Sequence, residues 1–285
     1  MKVVLHTTIA ILSAAFLLLG CDELQSIRND FEVSPSGIQY KIYSADNRGE
    51  RLQVGDIVNM HYQLWIRDSQ ITSTRKTKPI RIPILEPVKG AGPDINEVYL
   101  QAHEFDSIEI RIPLDSIPMQ APTYRQYDSN AQYLTVRVQL LGKYDENKLI
   151  ESYIQDQGYY DLPSKTTPSG VRVIWHRKGT GQPIAIGDSV VLHLKGSLLE
   201  DDMVFTNTWA QGQSLGFYID SSSVGLPGLL NGITALRGGD SATLILPSTT
   251  AFGPVGQPII GIPPFSPIVF EAKIFEVVKS ESAPN

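Results

Sequence analysis

The chain has 285 residues, 42% of them hydrophobic and 19% charged, which is the composition of an ordinary globular protein with length enough for two domains. Its 24 basic residues stand against 30 acidic ones with no Lys/Arg cluster, which argues against nucleic acid as a partner, because phosphate binding needs clustered cations. Cys21 is the single cysteine, so no intramolecular disulfide can form and the folded part must stand on packing.

Residues 1–20 have a basic start at Lys2, an apolar run from Ile9 to Leu19 interrupted by Ser13, and a small residue before Cys21. That is the layout of a cleaved export signal. An uncleaved membrane helix is the competing reading, but a span wants about 20 apolar residues, and this segment is shorter and carries His6, Thr7, Thr8 and Ser13. Leu18-Leu19-Gly20-Cys21 resembles a bacterial lipobox, which implies cleavage before Cys21 and lipidation of its sulfur. Each buried acyl carbon contributes about 0.8 kcal/mol and two chains already hold a protein stably, so such an anchor is effectively permanent. The resemblance places the protein in the cell envelope, lipid-anchored to a membrane and facing the periplasm or outer membrane. Residues 21–36 then read as a flexible tether.

Beyond the tether the chain repeats itself. Ser34-Pro35-Ser36-Gly37-Ile38 returns as Thr167-Pro168-Ser169-Gly170-Val171, and Val54-Gly55-Asp56 returns as Ile186-Gly187-Asp188, an offset of 132 residues. Val58 and His61 match Val190 and His193, Ile71-Thr72-Ser73-Thr74 matches Phe205-Thr206-Asn207-Thr208, Asp106 matches Asp240, and Ile112-Pro113 matches Leu246-Pro247. Two copies of one domain explain this: residues 37–144 and 167–279, with 145–166 between them.

Each copy reads mainly as strands, since apolar and polar residues alternate in 189–193, 241–246 and 268–274. In the second copy the pattern predicts one helix that starts at Pro227, presents Leu229, Ile233 and Leu236 on one face, and stops at Gly238-Gly239. Between the copies, Asp145 can cap a connector helix from Glu146 to Gln157 with Leu149, Ile150, Tyr153 and Ile154 on one side, ended by Gly158. The fold class is therefore α+β, with two domains that each wrap an antiparallel sheet around a short helix.

In the second copy, Gly170, Gly179-Thr180-Gly181, Gly187-Asp188, Val204-Phe205, Leu226-Pro227-Gly228, Gly239-Asp240, Leu246-Pro247, Ala251-Phe252-Gly253, Ile262-Pro263-Pro264 and Ile268-Val269-Phe270-Glu271 resemble the FKBP-type peptidyl-prolyl isomerase pattern, in order and near its spacing. The resemblance implies a prolyl isomerase that assists folding of proline-containing unfolded or exported proteins and needs no metal, nucleophile or cofactor. It puts Phe205, Leu226, Leu229, Phe252, Ile262 and Phe270 in the catalytic pocket, with Leu194, Thr206, Tyr218, Ile259, Ile260 and Pro263 contacting substrate. The Gly- and Pro-rich loop from Ala251 to Pro264 would form the rim.

The second copy departs from the family at Leu194, where a tyrosine is usual, at Thr206 (aspartate), Gly225 (valine), Leu229 (tryptophan) and Phe252 (tyrosine). The first copy departs further. It has Ile71 opposite Phe205 and Val136 opposite Phe270, and its 117–133 segment reads as a polar loop with Tyr124, Tyr127 and Tyr133. That copy is expected to bind no prolyl bond and to act as a spacer, protein-binding surface or dimer contact. The alternative for the whole chain is a non-catalytic binding module or holdase using the same cleft. His61 and His193 are repeat-equivalent strand positions, and His103 and His176 have no nearby Cys or carboxylate at ligand spacing, which argues against a metal site. Gly179-Thr180-Gly181 lacks the Lys-Ser/Thr of a phosphate loop and reads as a strand connection.

Overall fold

The computed structural model describes residues 31–44, 49–90, 92–220 and 225–280. The expected signal segment and Cys21 lie outside the described residues. Among the described residues no helix is long and apolar enough to cross a membrane.

The first unit contains β1 (Glu32–Val33), β2 (Gln39–Tyr43), β3 (Ile57–Ile66), β4 (Ser69–Ser73), β5 (Ile80–Pro83), α1 (Asn96–Tyr99), β6 (Ser107–Pro113), α2 (Ala121–Arg125) and β7 (Tyr133–Lys143). After the linking helix α3 (Glu146–Asp156), the second unit contains β8 (Ser164–Thr166), β9 (Arg172–Arg177), β10 (Ser189–Leu198), β11 (Val204–Asn207), β12 (Leu215–Tyr218), α4 (Pro227–Ile233), β13 (Ser241–Leu246) and β14 (Ile268–Val278). The sheets run β1-β2-β6-β7-β3-β4 and β8-β9-β13-β14-β10-β11, and β5 and β12 each add to the long strand β3 or β10. All pairings are antiparallel, and the two orders are the same topology, giving the expected α+β fold.

The repeat extends to individual hydrogen bonds. The Asp56 carboxylate accepts from Gln53 N at 2.8 Å and its counterpart Asp188 accepts from Ala185 N at 2.8 Å. Fully buried Asp106 accepts from His103 N at 2.9 Å, and Asp240 accepts from Arg237 N at 3.0 Å. Thr74 Oγ1 takes the N–H of Tyr62 beside His61, as Thr208 Oγ1 takes the N–H of Leu194 beside His193. A buried carboxylate that closes a turn is costly unless N–H groups surround it, so these aspartates fix the turns they cap.

The outer faces of the two sheets differ. On the second, Ile174, Leu199, Ile245 and Val269 form an apolar patch covered by Ile150 and Ile154 of α3. By register their counterparts on the first sheet are Lys41, Arg67, Arg111 and Thr135. The helix therefore belongs on the second unit. Burying Ile150 and Ile154 contributes about 1.5–3 kcal/mol each. Asp145 caps the helix as expected, accepting Lys148 N at 3.0 Å, and Gly158 follows its end at φ 68°. Covering both faces also explains why β13, which reads as alternating, is buried at five consecutive positions from Ala242 to Leu246.

Three other expectations change. The helix from Pro227 ends at Ile233 with Thr234 as its C-cap, short of Gly238, because the chain turns there to pair with the preceding loop: Leu236 O accepts Ile184 N at 3.1 Å and Gln182 O accepts Gly238 N at 2.9 Å. The described end of the tether belongs to the fold, since β1 pairs with β2 and Ser36 donates through Oγ to Glu97 at 2.6 Å. The 117–133 segment contains α2, whose Ala121 is buried and whose Tyr124 packs on the core.

Asp188 links fold to pH. Burial disfavours its charge, but Lys279, 2.7 Å away, and the N–H groups of Ala185 and Ser280 outweigh that and hold its pKa below the usual carboxylate range. A lowered folded pKa contributes stability that is present above the unfolded value of about 4 and lost as pH falls through the folded one. Urea midpoints measured from neutral pH downward should fall below about pH 4. Asp188→Asn should start lower and show a shallower acid limb, and parallel limbs for the two proteins would refute this role.

Candidate functional site

The site grows from the centre of β10. Gly196 pairs with Phe270 on one side and with Thr206 on the other. A Cβ on Gly196 would sit 2.6 Å from the Phe270 ring and 2.8 Å from the Phe205 ring. The missing side chain is thus what lets both rings lie against the strand. Phe205 and Phe270 meet edge-to-face with centroids 5.8 Å apart, and Phe205 meets Phe252 the same way at 6.4 Å. Both geometries suit the charge distribution of aromatic rings.

Around these rings the core closes. Leu229 on α4, Ile262 and Phe270 are buried members of one cluster, against which Phe205, Leu226 and Phe252 pack half-buried. All six residues expected in the catalytic pocket therefore come together. Leu226 is the N-cap of α4, and its N–H has no acceptor among the described residues. Leu194 faces the same core two positions before Gly196 but is closed off from solvent. Thr206 sits beside Phe205 on β11 and is partly exposed.

The rim is a folded loop. Phe265 N donates to Gly253 O at 2.9 Å, closing its base, and Gln257 and Ile262 exchange backbone bonds of 2.8 and 3.0 Å near its tip. Gly256 permits this closure, because its φ is 67° and a Cβ there would lie 2.4 Å from Ile262 O. At the tip Ile259 is 91% exposed and Ile260 42%, with Val255 beside them at 71%, while Pro263 is half-buried.

Tyr218 is a correction. It pairs with Ser189 at the far end of β10, seven residues from Gly196, or about 23 Å along the strand. It is half-exposed and outside the aromatic cluster. Conversely, the reading of the residues passed over Gly196, although a glycine inside the strand sequence Leu194-Lys195-Gly196-Ser197 is itself a sign of close approach.

The first unit shows what happens without that glycine. In the equivalent register Leu64 pairs with Val136 and Thr72, so Leu64 stands where Gly196 stands and Val136 where Phe270 stands. Leu64 and Ile71 pack on the core of that unit. A branched side chain thus occupies the place of Gly196, with Ile71 and Val136 where the second unit has Phe205 and Phe270.

Phe205, Phe252 and Phe270 are hydrocarbon rings, and Leu226, Leu229 and Ile262 pack in the same apolar core. The Gly179-Thr180-Gly181 segment packs against Gly238-Gly239 so closely that a Cβ on Gly179 would sit 2.2 Å from Gly238 O, and Asp240 takes the Gly179 N–H at 2.6 Å. This is a strand connection fixed by glycine contacts. Gly196→Ala should lower stability by about 1–3 kcal/mol, as overpacking does, and should alter the near-UV circular dichroism of the displaced rings. Urea unfolding at wild-type midpoint with an unchanged aromatic spectrum would show that the rings do not depend on Gly196.

Residues 181–275 match the family model described as FKBP-type peptidyl-prolyl cis-trans isomerase. The chain is 32% identical over 114 residues to FkpA of Buchnera aphidicola, covering 40% of this chain and 43% of that protein. It is 31% identical over 119 residues to FkpA of Escherichia coli K12, covering 42% of each. Peptidyl-prolyl cis-trans isomerase FPR2 of Saccharomyces cerevisiae is 33% identical over 91 residues, or 32% of this chain and 66% of that protein. The chain thus spans less than half the length of the FkpA proteins it matches. Among solved structures, Escherichia coli FkpA aligns with TM-score 0.42 and 24% identity, covering 59% of this chain and 70% of that one. Residues 181–275 are accordingly an FKBP-type domain.

Proposed function

We propose that the protein is a peptidyl-prolyl cis-trans isomerase that assists folding of proline-containing chains in the bacterial cell envelope, held at a membrane by lipid on Cys21. The observation that carries this reading is the meeting of Phe205 and Phe270 over Gly196, with Phe252 against Phe205 and with Leu229 and Ile262 buried in the same core. Rotation about an amide faces a barrier of about 18–20 kcal/mol because resonance stiffens the C–N bond. An X-Pro bond populates both isomers. A twisted amide has lost that resonance and much of its charge separation, so an apolar, water-excluding cleft favours it over the planar ground state.

The residues take their parts accordingly. Phe205 and Phe270 supply the walls, Leu229 and Ile262 the floor and side, and Leu226 N–H the donor for a substrate carbonyl. Phe252 offers no hydroxyl, and one lost hydrogen bond is worth about 0.5–1.5 kcal/mol, or up to about tenfold in rate. The proposed enzyme keeps the rotation chemistry and is slower for that loss. The exposed Val255, Ile259 and Ile260 suit apolar segments flanking the proline in an unfolded client.

That exposed rim also supports a second reading, a holdase that retains unfolded chains without turning them over. A chymotrypsin-coupled assay on a short prolyl peptide separates the two. Isomerisation above that of Phe270→Ala should be seen for the wild type, and equal rates would overturn the enzyme. Suppression of client aggregation that survives in Phe270→Ala would instead favour the holdase. For the anchor, fractionation of producing cells should find the wild type in membranes and Cys21→Ala released, and a variant bound as firmly as wild type removes the lipid from the account.

A further inference from the structure

Arg81 lies on β5 of the first unit, yet most of its polar contacts are with the second. Its side chain is only 9% exposed. Nη1 donates to Phe265 O at 3.2 Å and to Ser266 Oγ at 3.3 Å. Nη2 pairs with the Glu200 carboxylate. The guanidinium stacks on the Tyr144 ring, 4.0 Å from its centroid, and Nε reaches Asn59 Oδ1 at 3.3 Å. Beside it Lys78 pairs with Asp201.

The two segments it joins are those that carry the cleft. Glu200 and Asp201 lie in the turn between β10 and β11, five and four residues before Phe205. Phe265 and Ser266 lie between Ile262 and Phe270, and the Phe265 N–H closes the base of the rim loop. A planar guanidinium can hold both at once because its donors point in fixed, separate directions. An ammonium could hold either one. In the second unit the register counterpart of Arg81 is Gly216, so this group is not part of the shared framework.

We propose that Arg81 is a positioning residue for the prolyl cleft of the other domain: the first unit, in which Leu64 fills the place of Gly196, sets the separation of the Phe205 and Phe270 walls through one buried guanidinium. This rests on the isomerase reading above. Without the bridge the two segments move independently and the cleft is formed only part of the time. Apparent affinity then falls in proportion to the competent fraction, while saturating substrate restores the formed cleft. The signature is a raised KM with kcat kept.

The full chain is assayed on a short prolyl peptide as wild type, Arg81→Ala and Arg81→Lys, with thermal unfolding of each. Arg81→Ala should raise KM about three- to tenfold, the scale of one net hydrogen bond, with kcat unchanged. Arg81→Lys keeps the Glu200 ion pair, so its unfolding temperature should stay near wild type while its KM rises as in Arg81→Ala. A merely tethering role would give the opposite pattern: KM within twofold of wild type in both, or restored by lysine, and either result overturns the proposal. Should the wild type itself show no turnover, the isomerase reading falls and amide hydrogen exchange decides this one. Faster exchange at Phe265 in Arg81→Ala, with core Val173 unaffected, would support the bridge, and unchanged exchange at both would overturn it.

Discussion

Two phenylalanine rings can lie against a strand only where that strand carries no side chain of its own, and this constraint at Gly196 shapes the second unit. Phe270 pairs with Gly196 on one side of β10, and on the other Phe205 falls at the register shift between the Gly196–Thr206 and Ser197–Val204 pairs, so both registers must hold to bring the two rings over the same residue. A slip of one position would turn either ring to the opposite face of the sheet. The pairings are in turn fixed by ladder bonds along β10 and β14 and by the buried aspartates that close the turns at their ends. Hydrophobic packing fills the cleft region, but a steric vacancy one atom wide decides that it can exist.

The two units share a framework and differ in what is laid over it. At the cleft the exchange is Gly196 for Leu64 and Phe270 for Val136; on the outer face it is Ile174, Leu199, Ile245 and Val269 for Lys41, Arg67, Arg111 and Thr135. Both sets leave the backbone bonds untouched, since they alter only side chains standing out from a sheet whose ladder is intact. The second sheet is therefore buried on both faces and the first on one. A helix placed between the copies can satisfy only the apolar face, so α3 settles on the unit that follows it. Its first turn also reaches the cleft's surroundings, because Glu146 accepts the Ser248 hydroxyl at 2.7 Å and Ser248 O accepts Gly253 N at 2.8 Å.

Much of this was legible in the residues. Periodicity and the internal repeat carried the antiparallel sheets, and the capping aspartate and terminal glycine carried α3 nearly to its ends. The six pocket residues follow from a family resemblance and meet in space. Three features were hidden for physical reasons. Helix α4 stops early because backbone groups near Leu236 find partners in the 182–184 strand connection, a tertiary competition invisible to local propensity. Tyr218 is misplaced because a short edge strand offers little pattern to fix its register on β10. Gly196 escaped notice because its function is the absence of atoms, and only neighbouring strands show what fills the space.

Arg81 illustrates a harder limit. In sequence it is one cation between two isoleucines, Ile80-Arg81-Ile82-Pro83, with no local pattern to mark it. Its burial comes from the packing of one unit against the other, where Tyr144 at the start of the connector lies against one side and the 264–266 segment meets the other. A guanidinium tolerates such a place because it is weakly hydrated and can satisfy several acceptors in one plane. The carbonyl of Phe265 and the hydroxyl of Ser266 lie at the base of the 253–265 loop, and polar atoms buried there need a donor. Supplied from another domain, that donor makes the geometry around Phe205 and Phe270 depend on the docking of the first unit.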